Sequence, residues 1–339
     1  MADRFLALSA DDRRDALEAA ATASGRPAYL LEKDVWVVWA LDVLFAQPFG
    51  EHLVFKGGTS LSKAHGDLIQ RFSEDIDLTY DIRQLIAGPE PNAIEPLPAS
   101  RSQERKWTSA VRKQLPIWIQ THVVPALQRA IEAGSVPLKV STSLDKVELH
   151  YEPVNAAREY VRPMVLLEFG ARSSGEPAER FDVACDASAL LGLEFPQACP
   201  RVMRAERTFW EKATAAHVYC HQDKTPERFA RHWHDMARLD QHGYVDAALA
   251  EPQLAEQVAA HKQMFFECRS LDGSIIQYAD AIRGGLRIVP CSEGRIHLAA
   301  DYQAMIDEGL FDGSPLAFDA LMEHCSRIEA KVNAALTAT

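Results

Sequence analysis

The sequence predicts an α+β protein in which a mixed-sheet domain is followed by a helical one. Three observations carry this. Helical spacing dominates from about Ser9 to Phe45 and again beyond about Pro200. Between those stretches, short apolar runs of strand length recur. A glycine turn joins the first of these runs to a helix. A chain of 339 residues suits roughly two domains, and the change of pattern divides it into 1–200, a helical lead-in with the mixed domain, and 201–339.

The elements follow in order. Ser9 before Asp11 and Asp12 suits a capped helix start, and Leu30, Leu31, Val35, Val38, Trp39 and Val43 recur at three and four. After Pro48-Phe49-Gly50, the run His52 to Phe55 reads as a strand. Lys56-Gly57-Gly58-Thr59-Ser60 reads as a turn, and Leu61 to Gln70 as a helix. Asp75 to Tyr80 alternates polar with apolar residues, a strand with one buried face and one carrying carboxylates. Prolines 89, 91, 96 and 98 break any regular element over 88–102, which reads as an exposed excursion. One amphipathic helix is expected from Trp107 to Ala133, then strands at Leu138–Val140, Val147–Tyr151 and Met164–Phe169. From Met203 to Ala335 the pattern is nearly all helical.

Composition narrows the class. With 47% hydrophobic and 25% charged residues, disordered, collagen-like and coiled-coil chains are excluded. Thirty-six cations against 48 anions leave a net charge of -12. That argues against a surface wholly devoted to nucleic acid and leaves room for a local basic groove. The six cysteines are widely spaced without a C-x-x-C pair, so reduced thiols are expected. The N-terminus is acidic where a signal peptide would be basic, and no apolar run approaches ~18 residues. A cytoplasmic chain without membrane attachment is the expectation.

The strongest chemical signal joins the glycine turn, Lys56 to Ser60, across fourteen intervening residues to the acidic pair Asp75-x-Asp77. A glycine turn entering a helix brings backbone N–H groups to phosphate oxygens, with Thr59 and Ser60 as further hydroxyl donors. Aspartates at i and i+2 on a strand point the same way and suit Mg²⁺ or Mn²⁺ held against an NTP. Together they describe metal-dependent phosphoryl or nucleotidyl transfer. The plainer alternative is a tight turn beside a solvent-facing strand.

These residues, FKGGTSLSKAHGDLIQRFSEDIDL, resemble the signature of the AbiEii/AbiGii-type nucleotidyltransferase toxins of the DNA-polymerase-β-like superfamily. The resemblance extends to Glu32-Lys33-Asp34-Val35-Trp36, to Arg207 to Lys212, and to Arg231 to Asp235. It implies a polymerase-β-like nucleotidyltransferase domain and a toxin of the type IV toxin-antitoxin or abortive-infection class. It also implies an RNA acceptor, tRNA in some members, and a separately encoded antitoxin. Carried over, nucleotide binding falls on Lys56, Gly57, Gly58, Thr59, Ser60 and Ser73, and metal binding on Asp75 and Asp77. Lys212 would steady the departing pyrophosphate from a solvent-bathed cleft, and Asp235 would orient that lysine or help activate the acceptor. The chain departs from the family at Leu166-Leu167-Glu168, where Lys-x-Asp/Glu is usual: Glu168 remains as a third carboxylate, and the lysine is lost.

Other readings stay open. Ser60-x-x-Lys63 spells the nucleophile motif of some serine acylases, although its usual downstream partners are missing. His217 and His221 share a helix face, near His232 and His234, as a zinc site would require. A nucleotide-binding regulator without chemistry would have little use for two aspartates. Cations interleaved with aromatics, from Arg201 through Arg204, Arg207 and Trp210 and from Lys224 through Arg228, Arg231, Trp233 and Arg238, are candidates for an RNA-facing surface.

Overall fold

The computed structural model describes residues 4–66, 68–73, 75–155, 162–188, 192–224 and 226–337. Helix α1 (Ala10–Ser24) is capped by Ser9, whose Oγ accepts the Asp12 N–H at 3.1 Å. Helix α2 (Ala28–Phe45) is apolar on nearly every side and correspondingly buried from Leu31 to Leu41. Strand β1 (Leu53–Lys56) runs directly into α3 (Gly57–Ala64), so the glycines open the helix instead of preceding it. Strand β2 (Ile76–Tyr80) follows, then the short helix α4 (Ile82–Leu85).

The single helix expected over 107–133 is interrupted. Helix α5 (Arg101–Trp118) and α6 (Val124–Gly134) flank a wide π-type turn at Ile119–Val123. Pro116 lies inside α5 and Pro125 near the start of α6, and each withdraws a backbone donor from the helical ladder. Strands β3 (Leu138–Ser143), β4 (Lys146–Tyr151) and β5 (Met164–Gly170) sit where the sequence put them. The short strands β6 (Ala178–Arg180), β7 (Val183–Ala184), β8 (Gln197–Ala198) and β9 (Arg201–Met203) were not foreseen.

Seven strands form one mixed sheet in the order β3-β4-β5-β2-β1-β9-β6. β2 lies at its centre, antiparallel to β1 and parallel to β5. The α+β class with a mixed sheet and a helical C-terminal region is therefore observed.

Two compact units emerge. The first comprises Met1–Ala64, Ser73–Gly88 and Ser109–Val202; the second comprises His65–Phe72, Pro89–Thr108 and Met203–Thr339. In the first, Trp118 stacks on Tyr80 at 4.0 Å and meets Phe169 edge-on at 5.9 Å. That contact ties the end of α5 to β2 and β5. Buried acids at the start of α2 brace it further: Glu32 accepts from the Val154 N–H at 2.9 Å, and Asp34 from the Asp186 N–H at 2.7 Å.

The second unit contains α7 (Ala205–Gln222), α8 (Ala230–Gln241) and α9 (Tyr244–Leu249). Trp210 and Trp233 are wholly enclosed, their indole N–H groups donating to the carbonyls of Ala248 and Ile288. The proline-rich segment is anchored, not merely exposed: Glu95 is buried 2.7 Å from Arg207.

Candidate active site

The site is built where β1 turns into α3. Gly57 has φ +84°, a left-handed conformation that glycine adopts without a Cβ penalty. A Cβ there would also overlap Oδ2 of Asp77 and lie 3.0 Å from its Cγ. The carboxylate of Asp77 thus rests against the first backbone atoms of α3, and only glycine leaves room for it.

The hydroxyls of the turn are used inside the protein. Thr59 Oγ1 donates to the Asp75 carbonyl at 2.6 Å and lies 2.9 Å from Ser73 Oγ, and Ser60 Oγ donates to the Gly57 carbonyl at 2.9 Å. Both side chains are buried. Their contribution is to fix the turn and the backbone at Asp75; the N–H groups of the first turn of α3, which opens on the half-buried Gly57 and Gly58, have no intrahelical acceptor.

Strand register assembles the acids. Asp77 on β2 pairs with Glu168 on β5, Glu168 with Lys146 on β4, and Asp77 with Lys56 on β1. Directly opposed residues share a sheet face, so one row reads Lys56, Asp77, Glu168, Lys146. Asp75 immediately precedes β2, and its charge acts on Lys146 in the same row. Lys146 Nζ lies 2.5 Å from Glu168 Oε1. The hydrogen bond to Glu168, with the charges of Asp145 and Asp75, raises the pKa of Lys146 above its usual range. The sequence motifs do not include Lys146, which is placed opposite Glu168 by the register of β4 against β5.

Among the described residues no group of three or more His, Cys, Asp or Glu side chains is gathered closely enough to hold a metal ion. Mg²⁺ takes one or two protein carboxylates and completes its octahedron with water and substrate phosphate. The all-oxygen pair of Asp75 and Asp77 fits that requirement. His217, His221, His232 and His234 likewise form no zinc cluster among the described residues.

In the second unit, Lys212 and Asp235 do come together. Lys212 Nζ lies 2.9 Å from Asp235 Oδ2 and 3.2 Å from His232 Nδ1. Arg71 grips the same carboxylate through Nε and Nη2, both at 2.7 Å. Lys212 is only 5% exposed, so the expectation of a solvent-bathed lysine is corrected. Burial lowers its pKa, helped by Arg71 and Arg231 and opposed by Asp235. For Asp235 burial pushes upward, but Arg71 and Lys212 outweigh it and hold the carboxyl far below its ordinary range. The chain just before Ser73 is fastened here as well, since His234 Nε2 bonds the Ile69 carbonyl at 2.7 Å and Arg238 the Leu68 carbonyl at 2.9 Å.

Two of the other readings can be weighed against the structure. Trp210 and Trp233 are core residues. Arg204 is paired with Glu251 and Glu206, and Arg207 with Glu95 and Glu211. The tryptophans of that pattern, with Arg207 and Lys212, are therefore internal, whereas Lys224 and Arg228 remain exposed. Lys63 Nζ is held between Asp34 at 2.6 Å and Asp186 at 2.7 Å. Those two carboxylates raise its pKa against the effect of burial. It is committed to a structural ion cluster and is no base for Ser60.

Comparison with known proteins decides the family. The profile of the nucleotidyl transferase AbiEii toxins, type IV toxin-antitoxin system, matches residues 39–324. The chain belongs to the AbiEii family. It is accordingly a nucleotidyltransferase toxin of a type IV toxin-antitoxin system, a class that uses NTPs and implies an antitoxin partner. Among solved structures, MenT4, a nucleotidyltransferase toxin from Mycobacterium tuberculosis H37Rv, aligns over 95% of this chain and 98% of its own, with 14% identity and a TM-score of 0.41. Comparison with curated proteins found no match. No helix among the described residues is long and apolar enough to cross a membrane.

Proposed function

We propose that this AbiEii protein transfers the NMP of an NTP to an RNA acceptor, of which tRNA is the kind the family resemblance implies, in a reaction that requires Mg²⁺ or Mn²⁺. The observation that carries this reading is the packing of Asp77 against the N-terminus of α3 with Glu168 beside it in register. A divalent ion on Asp75 and Asp77 would supply positive charge to the triphosphate.

The remaining work falls to the chain itself. N–H groups of Gly58, Thr59 and Ser60 receive phosphate oxygens at the helix N-terminus. Thr59 and Ser73 fix the backbone from which Asp75 projects. Glu168 takes the proton of the acceptor hydroxyl as its oxygen bonds to the α-phosphorus; the bond to the bridging oxygen breaks, and pyrophosphate leaves with that electron pair. Lys212 and Asp235, with Arg71, form a buried ion cluster within the second unit. An RNA backbone has a cationic surface to meet on α5, where Arg105, Lys106, Arg112 and Lys113 are exposed and Trp107, Val111, Leu115 and Trp118 are buried.

Purified protein incubated with each labelled NTP, Mg²⁺ and total RNA should label RNA, and Asp75→Ala or Asp77→Ala should abolish labelling while the thermal midpoint stays near the wild-type value. Undiminished labelling by either variant refutes the metal-site assignment. Failure of the wild type to label any RNA with any NTP refutes the acceptor.

A further inference from the structure

We propose that Lys146 is a triphosphate-binding cation of this site, reaching it from the strand next to Glu168. The inference rests on the nucleotide-site reading above and adds to it a residue that lies outside every motif of the sequence. Lys146 stands directly opposite Glu168 in the β4–β5 ladder, and Glu168 directly opposite Asp77 in the β5–β2 ladder. Neighbouring strands lie about 4.8 Å apart, so Lys146 is two strand spacings from Asp77 on the same face. With Lys56 opposite Asp77 from the other side, two acids are bracketed by two cations.

The ion pair orients the lysine without consuming it. An ammonium carries three donors; one meets Glu168 Oε1 at 2.5 Å, and the side chain remains 48% exposed beside a carboxylate that is 36% exposed. At least one further N–H is therefore open to an incoming oxygen. An isolated pair this exposed adds little to folding, so its removal separates binding from stability. Other cations are engaged elsewhere: Lys63 with Asp34 and Asp186, and Lys212 with Asp235. During transfer the bond between the α-phosphorus and the bridging oxygen breaks, negative charge collects on pyrophosphate, and Lys146 provides a charge-assisted donor to it.

The test compares Lys146→Met, Lys146→Arg and Lys139→Met, the last on β3 opposite His150 and outside the row. NTP affinity is measured by calorimetry in the presence of Mg²⁺, alongside KM and kcat for transfer to RNA. Lys146→Met is expected to weaken NTP binding about 10- to 100-fold, with a matching rise in KM and an unchanged thermal midpoint. Lys146→Arg should recover most of the affinity, and Lys139→Met should match wild type. Wild-type NTP affinity in Lys146→Met overturns the inference. Asp77→Ala, run in parallel, keeps the two claims apart. If it abolishes transfer while Lys146→Met binds and reacts normally, only the inference fails; if Asp77→Ala transfers normally, the site itself is misplaced.

Discussion

Replacing Gly57 by alanine probes the contact on which the whole site is built. The native φ of +84° costs an L side chain about 1–2 kcal/mol. The added methyl would also overlap Asp77 Oδ2 and stand 3.0 Å from Cγ and 3.2 Å from Cβ, inside the ~3.5 Å at which carbon atoms pack. The Asp77 carboxylate must therefore retreat by on the order of 1 Å, a misplacement that can cost a reacting centre about 10²-fold. Gly57→Ala should lower the rate of NMP transfer by that factor and the thermal midpoint by several degrees. Combining it with Asp77→Ala should recover the part of the stability lost to overlap and none of the activity, because the atom struck has been removed. Wild-type transfer kinetics in Gly57→Ala would show that Asp77 does not work from this position.

Lys212→Ala should destabilise the protein by on the order of 2–4 kcal/mol in urea denaturation, because it removes one partner from a buried network, and Asp235→Ala should cost more by leaving Arg71 and Lys212 facing each other without an anion; an unchanged unfolding midpoint for both refutes the structural role. His217, held neutral by burial with a pKa lowered to about 3, contributes stability that is complete above its unfolded value near ~6.5 and is lost as pH falls toward 3. A His217→Asn variant, whose amide oxygen can still accept the Arg287 N–H, should show a flatter decline of stability between about pH 6.5 and 4, by up to a few kcal/mol; parallel wild-type and variant curves contradict the assignment.

What the sequence made legible was local. The glycine-led passage from strand to helix, the acidic strand and the cap at Ser9 each depend on residues within a few positions; the cap appears where it was expected, the strand begins one residue later, and the glycines lie within the first turn of α3. Lys146 was not legible, because its relation to Glu168 exists only once β4 and β5 pair in a particular register. Arg71 was hidden for a similar reason: its carboxylate partner is 164 positions away. Helical spacing marked α7 and α8 correctly, and core packing is the favoured reading for Trp210 and Trp233, which are fully enclosed; which cations beside them were solvated and which were paired could not be read from spacing. The strands of two or three residues fall below the length at which period-two alternation can be read. The break at Ile119–Val123 did have a signal in Pro116 and Pro125, outweighed by the continuous amphipathic pattern around them.

The most direct test of nucleotidyl transfer is to follow two labels in one reaction. NTP labelled at the α-phosphate and, separately, at the γ-phosphate is incubated with the protein, Mg²⁺ and RNA, beside Asp77→Ala. The α-label should move to the RNA while the γ-label appears in pyrophosphate, and Asp77→Ala should produce neither. Appearance of the γ-label on the acceptor, or α-label transfer that survives loss of Asp77, would contradict the account.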